Sequence, residues 1–517
     1  MTNKIHQLQS WAETNKQFLK TCFLSVLFWG LVAHGFMFMH WDLSHDSLSQ
    51  FYSVSGSWRY ALGRIFVPLY VRLVRANLTL PWLVGIYALV WLCLAAVIVC
   101  SLFSLRSKWK IFIVSGLLVA NECVTALTGT YMSDLDGDML AFFLAAAAVY
   151  CWRKKPGRGG FLEGTLLLSF SLGLYQSFLS SAVTLILILL VTDVFDRKEL
   201  STILRSGLRA LAMLVCGGIL YVVWLKCSRL VTSVSLMTGQ YNSLTTPLDK
   251  SFTDFLRNIV FGWANTVSGF IRTPSLYNKT FSMVLNGAIC LITVVLFFAL
   301  CRKRALNTKQ KLLAFLLSIL IPVGMDVSFV LAGFSHDLMR YAYCFFGVLL
   351  LVFVNLWQAD DTAVPTVRSR NGFVAMAYIL LCLALLGNVM TSNALYVKKD
   401  LEAKATLALY TRIADRIESM DGYTAGETPV VFIGHPDALL ETIPGFDNIY
   451  AITGSEYRSA SNTYYQAYFE NVLQRPIHVV QLDEESKDDE FIKEMPSFPD
   501  QDSVQWHDGK VIVKLSN

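Results

Sequence analysis

TCFLSVLFWGLVAHGFMFM, residues 21–39, runs straight into HWDLSHD, residues 40–46. A bilayer core takes roughly 17–25 helical residues to cross, and the first stretch reaches that length without an Asp, Glu, Lys or Arg. The second stretch then sets Asp42 and Asp46, with His40, Trp41 and His45, at a membrane face. Two further acidic clusters, Asp134-Leu135-Asp136-Gly137-Asp138 and His336-Asp337, also fall at the ends of apolar runs. If all three emerge on one side of the membrane, a string of helices acquires a site.

The bulk composition agrees with the opening stretch. The 517 residues are 54% hydrophobic and 16% charged, with a mean hydropathy of +0.49. A soluble protein carries roughly 25% charged residues, so this is the composition of an α-helical polytopic membrane protein. The net charge of +5 reports topology before it reports partners, and no nucleic-acid partner is expected. The 11 Cys lie between Cys22 and Cys382, in or beside apolar runs, and read as small hydrophobes without a disulfide framework. No cleavable signal is expected. Lys4, Lys16 and Lys20 precede an apolar run that reads as the first span. A P-loop, a GxGxxG and zinc-type Cys or His spacing are absent from the sequence.

About eleven transmembrane helices are expected, at 18–39, 81–103, 111–130, 138–152, 161–177, 179–195, 208–228, 280–300, 312–334, 338–357 and 372–395. Basic residues sort the loops. Lys and Arg cluster after the second, fourth, sixth, eighth and tenth spans, at 106–110, 153–158, 197–209, 302–311 and 368–370. The short loops near 131–137, 175–178 and 335–337 carry none. Basic loops stay in the cytoplasm, so the N-terminus is expected inside and the three acidic clusters outside.

Two outer loops are long, at about 40–80 and 229–279. In each, aromatic and apolar residues interleave with charges as in helices lying on a membrane surface. The expected domains are a membrane domain over 1–395 and a small extracytoplasmic α/β domain over 396–517. In the latter, Lys398 to Met420 has an amphipathic helical pattern and Pro429 to Ile433 reads as a strand. Ser459 to Leu473 reads as a helix and Ile477 to Leu482 as a strand. His507-Asp508-Gly509 marks a hairpin between two further strands.

A carboxylate screened from water at a membrane face accepts a proton more readily than a solvated one, which nominates Asp42 and Asp46, beside His45. The plainer alternative is a helix cap. Asp134 and Asp136 are placed in a short loop, where alternate acids bind a divalent cation or orient sugar hydroxyls. Asp138 reads as a cap. Arg59, Arg64, Arg72 and Arg75 break the rule for outer loops, and Arg binds phosphate through a planar fork. Arg64 is the favoured ligand, while Arg72 and Arg75 also suit snorkelling to headgroups. His336 and Arg340, four apart, are expected on one helix face as a phosphate clamp, with Asp337 orienting them or simply pairing with Arg340. Glu122 and Asp326 fall inside spans, where charges are costly and face a cavity or a partner.

Taken together, these stretches resemble the serotype-converting GtrII glucosyl transferases of the GT-C superfamily. The resemblance is carried by His45-Asp46, by Leu62-Gly63-Arg64 with Pro68-Leu69-Tyr70, and by Pro81-Trp82-Leu83-Val84-Gly85. It continues through Thr130-Tyr131 with Asp134-Leu135-Asp136, Ser171 to Gln176, His336 to Tyr341, and Lys404 to Gly434. The resemblance implies a GT-C-like fold in the bacterial inner membrane. It implies an enzyme that moves glucose from a polyprenyl-phosphate sugar lipid, undecaprenyl-phosphate glucose first, to a surface glycan such as an O-antigen or teichoic acid. Asp46 would be general base, with Asp42 second and His45 beside it. Arg64, Arg59, Arg340 and His336 would hold the donor phosphate, and Asp134, Asp136 and Asp337 would position the acceptor or a divalent cation. A flippase or transporter of lipid-linked sugars is the alternative. It would need polar residues tracked through the bilayer interior, where only Glu122 and Asp326 lie deep.

Overall fold

The computed structural model describes residues 10–40, 47–48, 56–155, 157–237, 251–273, 279–359, 370–436, 462–481 and 489–516. The chain divides into two units, one built from 1–39, 54–128 and 132–393, the other from 40–53, 129–131 and 394–517.

The first unit is helical. Its elements are α1 (Lys16–Met39), α2 (Gly56–Ala61), α3 (Val67–Arg75), α4 (Pro81–Leu102), α5 (Lys108–Val119), α6 (Glu122–Thr130), α7 (Leu135–Lys154), α8 (Gly157–Leu174), α9 (Leu179–Phe195) and α10 (Leu200–Thr232). They continue with α11 (Phe252–Ile271), α12 (Lys279–Lys303), α13 (Thr308–Met325), α14 (Val327–Ala332) and α15 (Phe345–Ala359), then enter α16 (Arg370–Glu418). Among the described residues, 9 helices are long and apolar enough to cross a membrane, or 10 if the bent pair α5 and α6 is one span. The chain is thus a polytopic helical membrane protein. The remaining expected span, 161–177, is the helix α8, which is 18 residues long and less apolar than the others.

Packing sorts these helices into centre and rim. α7 packs against α4 and α8, and α9 against α13. Small residues let α7 approach closely: Ala141, Ala145, Ala146 and Ala148 are fully buried. α10 lies at the rim and exposes Leu204, Leu208, Leu211, Val215, Ile219 and Val222, a stripe at helical spacing that suits lipid rather than water. At the end expected to be cytoplasmic, Arg153 pairs with Asp193 through both nitrogens, one at 2.7 Å, and Lys198 reaches the same carboxylate at 2.6 Å.

Three boundaries differ from the sequence reading. α7 begins at Leu135, not 138, so Asp136 and Asp138 sit in its first turn instead of a loop; acids there meet the positive end of the helix dipole. The expected span 312–334 breaks at Asp326, whose side chain caps the following helix by accepting from Phe329 N. Finally, 372–395 and 398–420 are one helix: α16 runs 49 residues without interruption. Its composition turns from apolar to charged near Val397, but Ala, Leu, Glu and Lys are all good helix formers.

The second unit contains the end of α16, β1 (Pro429–Ile433), α17 (Asn462–Asn471), β2 (His478–Val479), α18 (Glu490–Glu494), β3 (Val504–His507) and β4 (Lys510–Lys514). The sheet order is β2-β1-β4-β3, with β1 parallel to β2 and β4, and β3 antiparallel to β4. Strand alternation divides its two faces. Val430, Phe432, Val511 and Val513 pack on Tyr410, Ile413, Tyr465 and Phe469, while Val431 and Ile512 pack on Met495. Asp508 and Gly509 both take positive φ, 47° and 71°, the pair a tight two-residue hairpin demands.

Candidate functional site

Residues 56–80 do not lie loose on a surface. α2 and α3 are short, and Gly63 turns the chain between them at φ 73°, a left-handed conformation that an L side chain resists. Three contacts fix the turn: Tyr221 donates its hydroxyl to the Gly63 carbonyl at 3.0 Å, Gln176 donates to Leu62 O at 3.2 Å, and Phe66 N donates to Gly173 O at 3.0 Å. At Gly173 a Cβ would come within 2.3 Å of the Phe66 ring, so the close approach needs glycine there.

This turn carries its arginines to the start of α7. Arg59 donates through Nε to Asp134 Oδ1 at 3.0 Å, and its Nη2 contacts the same oxygen. Arg64 donates through Nη1 to Asp134 Oδ2 at 3.2 Å. Burial alone would raise the Asp134 carboxyl, but the guanidiniums of Arg59 and Arg64 outweigh it and hold it below the usual carboxylate range. Arg75 reaches Asp136 through Nη2 at 3.2 Å, with Nε 3.1 Å from the other oxygen, and caps the carbonyls of Leu78 and Ser133. Tyr70 donates to Asp136 Oδ2 at 3.2 Å and accepts from Trp91 Nε1 at 3.1 Å. Burial and the Asp136 charge push the Tyr70 phenol well above its ordinary value, so it remains a donor. Arg72 is exposed.

Arg59 and Arg75 are therefore buried ion pairs, not headgroup contacts. Asp134 and Asp136 have their oxygens engaged by guanidiniums, which leaves little of them for a cation. Arg64 differs. Its side chain keeps 19% exposure, and its guanidinium lies over the Tyr175 ring, 4.3 Å from the centroid. Asp138, read from the sequence as a cap, is 1% exposed, and neither oxygen has a hydrogen-bond partner among the described residues. The guanidiniums of Arg64 and Arg59 are the cations acting on it. A buried carboxylate without a partner costs several kcal/mol, and groups held at such a cost cluster where chemistry is done. An unpartnered Asp138 is the signal that sequence reading lacked.

The second constellation forms where two helical paths break. Asp326, between α13 and α14, accepts from Ser335 Oγ at 2.7 Å, Phe329 N at 3.1 Å and Tyr343 Oη at 3.2 Å. Arg340 donates to Asp337 at 2.8 Å, Ser335 Oγ at 3.2 Å and Ser335 O at 3.0 Å. His336 and Arg340 do not share an α-helical face. Asp337–Met339 and Tyr341–Cys344 are 3-10 turns, whose tighter pitch eclipses residues three apart instead of four. That pitch brings Asp337 onto Arg340. The segment packs against the break between α5 and α6, where Cys123 donates to Leu338 O at 3.0 Å and Tyr341 to Leu118 O at 2.7 Å. A cleft there is lined by Glu122, Asp337, Arg340 and Tyr343 among others. Irregular backbone among spanning helices survives only when buried in protein or lining such a cavity.

Rings join the two constellations. Tyr175, under Arg64, contacts Phe178 at 5.8 Å, and Phe178 contacts Tyr341, next to Arg340, at 5.4 Å.

Asp42, His45 and Asp46 lie outside the described residues. The residues that follow them, Ser47 and Leu48, belong to the second unit. Leu48 is 1% exposed in the core with Tyr410 and Tyr468, its carbonyl accepts from Asn471 at 2.7 Å, and Ser47 donates to Thr130 O at 3.1 Å. Among the described residues, the ligand atoms that converge as they would on a metal belong to Asp489, His507 and Asp508. There His507 Nε2 lies 2.6 Å from Asp489 Oδ2, and its hydrogen bond holds that carboxyl below its usual range.

No curated protein and no solved structure matches this chain. A family model does match: described as glucosyl transferase GtrII, it spans residues 35–355, more than half of the sequence and both constellations. The chain therefore belongs to the GtrII glucosyl transferase family, as its motifs suggest.

Proposed function

We propose that this membrane glucosyltransferase takes its sugar from a polyprenyl phosphate, undecaprenyl-phosphate glucose first, and transfers it to a cell-surface glycan outside the bacterial inner membrane. The observation that carries the reading is the lodging of Arg64 and Arg340 among apolar helices, at turns and helix breaks. A guanidinium there suits an anion delivered from within the bilayer, which is where a lipid phosphate lies. Basic loops at alternate span ends support placing the acidic clusters outside.

In this reading the acceptor hydroxyl attacks the anomeric carbon as its proton passes to Asp46, with Asp42 as second choice and His45 alongside. The bond from that carbon to the phosphate oxygen breaks, and the electron pair leaves with the lipid phosphate. Its charge is met by Arg64 and Arg340, assisted by His336. A single displacement inverts the anomeric centre. Asp134 and Asp136 hold Arg59, Arg64 and Arg75 in place, and Asp337 holds Arg340. The activated lipid supplies the driving force, so no nucleotide is needed as energy source.

The test is transfer by purified protein in nanodiscs, with undecaprenyl-phosphate [14C]glucose and UDP-[14C]glucose offered separately. Label should reach the glycan from the lipid alone, and transfer from the nucleotide sugar would refute the donor. Asp46→Asn should fold and lose turnover; retained turnover would remove Asp46 as base.

A further inference from the structure

Glu122 is used by none of these steps, yet it stands in the cleft beside Asp337 and Arg340. It opens α6 directly after the bend of 45° from α5. No hydrogen bond or ion pair to its carboxylate is found among the described residues; its electrostatic neighbours are Asp337 and Arg340, which are already joined at 2.8 Å. The amides nearby are oriented by the main chain. Asn388 donates to Ala120 O at 2.9 Å and Asn286 to Phe270 O at 3.0 Å, and no donor to either side-chain carbonyl oxygen is found among the described residues. Phe270, stacked on Phe346 at 4.3 Å, gives the cleft an aromatic wall.

The charges narrow the ligand. Arg340, with 25% of its side chain exposed, opposes a metal cation, while Glu122 and Asp337 oppose a free anion. A neutral polyol has no such conflict. Its hydroxyls donate to the carboxylate and the amide oxygens, and its C–H face meets the ring. Arg340 at the same cleft is then placed for a phosphate bonded to that polyol.

We propose that this cleft is the hexose subsite of the donor and that Glu122 is the residue that reads the sugar's hydroxyls. The inference rests on the lipid-phosphate donor proposed above. It adds a specificity residue to that reading, in a span where this acidic side chain has no ion-pair partner among the described residues.

The experiment compares two ligands that differ only in the sugar. Full-length protein in nanodiscs is titrated with undecaprenyl phosphate and with undecaprenyl-phosphate glucose, and binding is followed by native mass spectrometry. The wild type should prefer the sugar-bearing carrier. Glu122→Gln should cut that preference about tenfold, the weight of one hydrogen bond, with affinity for the bare carrier unchanged. Arg340→Gln should weaken both carriers alike. If Glu122→Gln keeps the full preference, or if the wild type shows none, the subsite is wrong while the donor stands. If the wild type binds neither carrier, the donor itself is wrong and the subsite falls with it. Should Glu122→Gln not yield monodisperse protein, Glu122→Asp, which withdraws the carboxylate by one methylene, carries the same comparison.

Discussion

Removing Arg75 alone should damage this protein more than removing Arg75 and Asp136 together. Both side chains are 0% exposed. Arg75 serves three acceptors: the Leu78 carbonyl, the Ser133 carbonyl and Asp136. Arg75→Met strips all three and leaves a buried carboxylate with only Tyr70 and the Gly137 amide. Breaking one side of a buried pair costs about 3–5 kcal/mol, and Asp136→Leu should cost a similar amount by stranding the guanidinium. Independent effects would sum to about 6–10 kcal/mol, whereas the double variant, free of any unpaired charge, should lose only about 2–4 kcal/mol through orphaned dipoles. The difference is a coupling energy of several kcal/mol. Thermal unfolding of purified protein in detergent, followed by tryptophan fluorescence for wild type, both singles and the double, reads it as a partial rescue. If the double variant is as damaged as the sum of the singles, within about 0.5 kcal/mol, the two side chains are not a pair and the site is not held together by buried charges.

The ion pairs of Asp134 give a pH dependence of definite sign. Its carboxyl is depressed in the folded state, so its stabilising contribution is present above the unfolded value near about 3.9 and is lost as pH falls through the folded value. Melting temperature should drop in that acid range, and Asp134→Asn should flatten the drop; an unchanged profile in the variant would contradict the pairing. Asp138→Asn replaces a buried carboxyl group that has no hydrogen-bond partner among the described residues by a neutral amide and should raise stability by about 1–3 kcal/mol. A fall in stability would mean that Asp138 has a structural partner. Gly173→Ala drives a methyl to within 2.3 Å of the Phe66 ring and should cost about 1–3 kcal/mol. Gly173→Ala combined with Phe66→Leu should recover part of that loss; no recovery would disprove the contact.

The helices were legible because an apolar run of spanning length has little else to become than a membrane helix. The family was legible from the order of many weak motifs. Boundaries failed where local chemistry permits two outcomes. Asp134, Asp136 and Asp138 suit a loop as well as a first helical turn, and the charged stretch after Val397 suits a new helix as well as the continuation of an old one. His336 and Arg340 were placed on one face by assuming 3.6 residues per turn, and the chain there winds as 3-10 turns. What a single sequence does not hold is partnership over distance. Arg59 and Asp134 are 75 positions apart, and Arg75 and Asp136 are 61. Nothing in either neighbourhood says that an arginine between two spans is destined for a buried acid. That the side chains of Asp138 and Glu122 have no hydrogen-bond partner among the described residues is likewise a property of the assembled molecule.

The separation of Arg75 from Asp136 sets an order on biogenesis. Arg75 leaves the ribosome well before its partner exists, since the whole of α4, α5 and α6 must be made in between. Until then its charge lacks the carboxylate it is buried against, and burying a charge without that partner costs several kcal/mol. The early segment must therefore wait in the aqueous phase or in the insertion machinery, and it docks only when the N-terminal turn of α7 arrives. A nascent chain stalled short of that turn should leave Arg75 open to water-soluble reagents, and one extended past it should not.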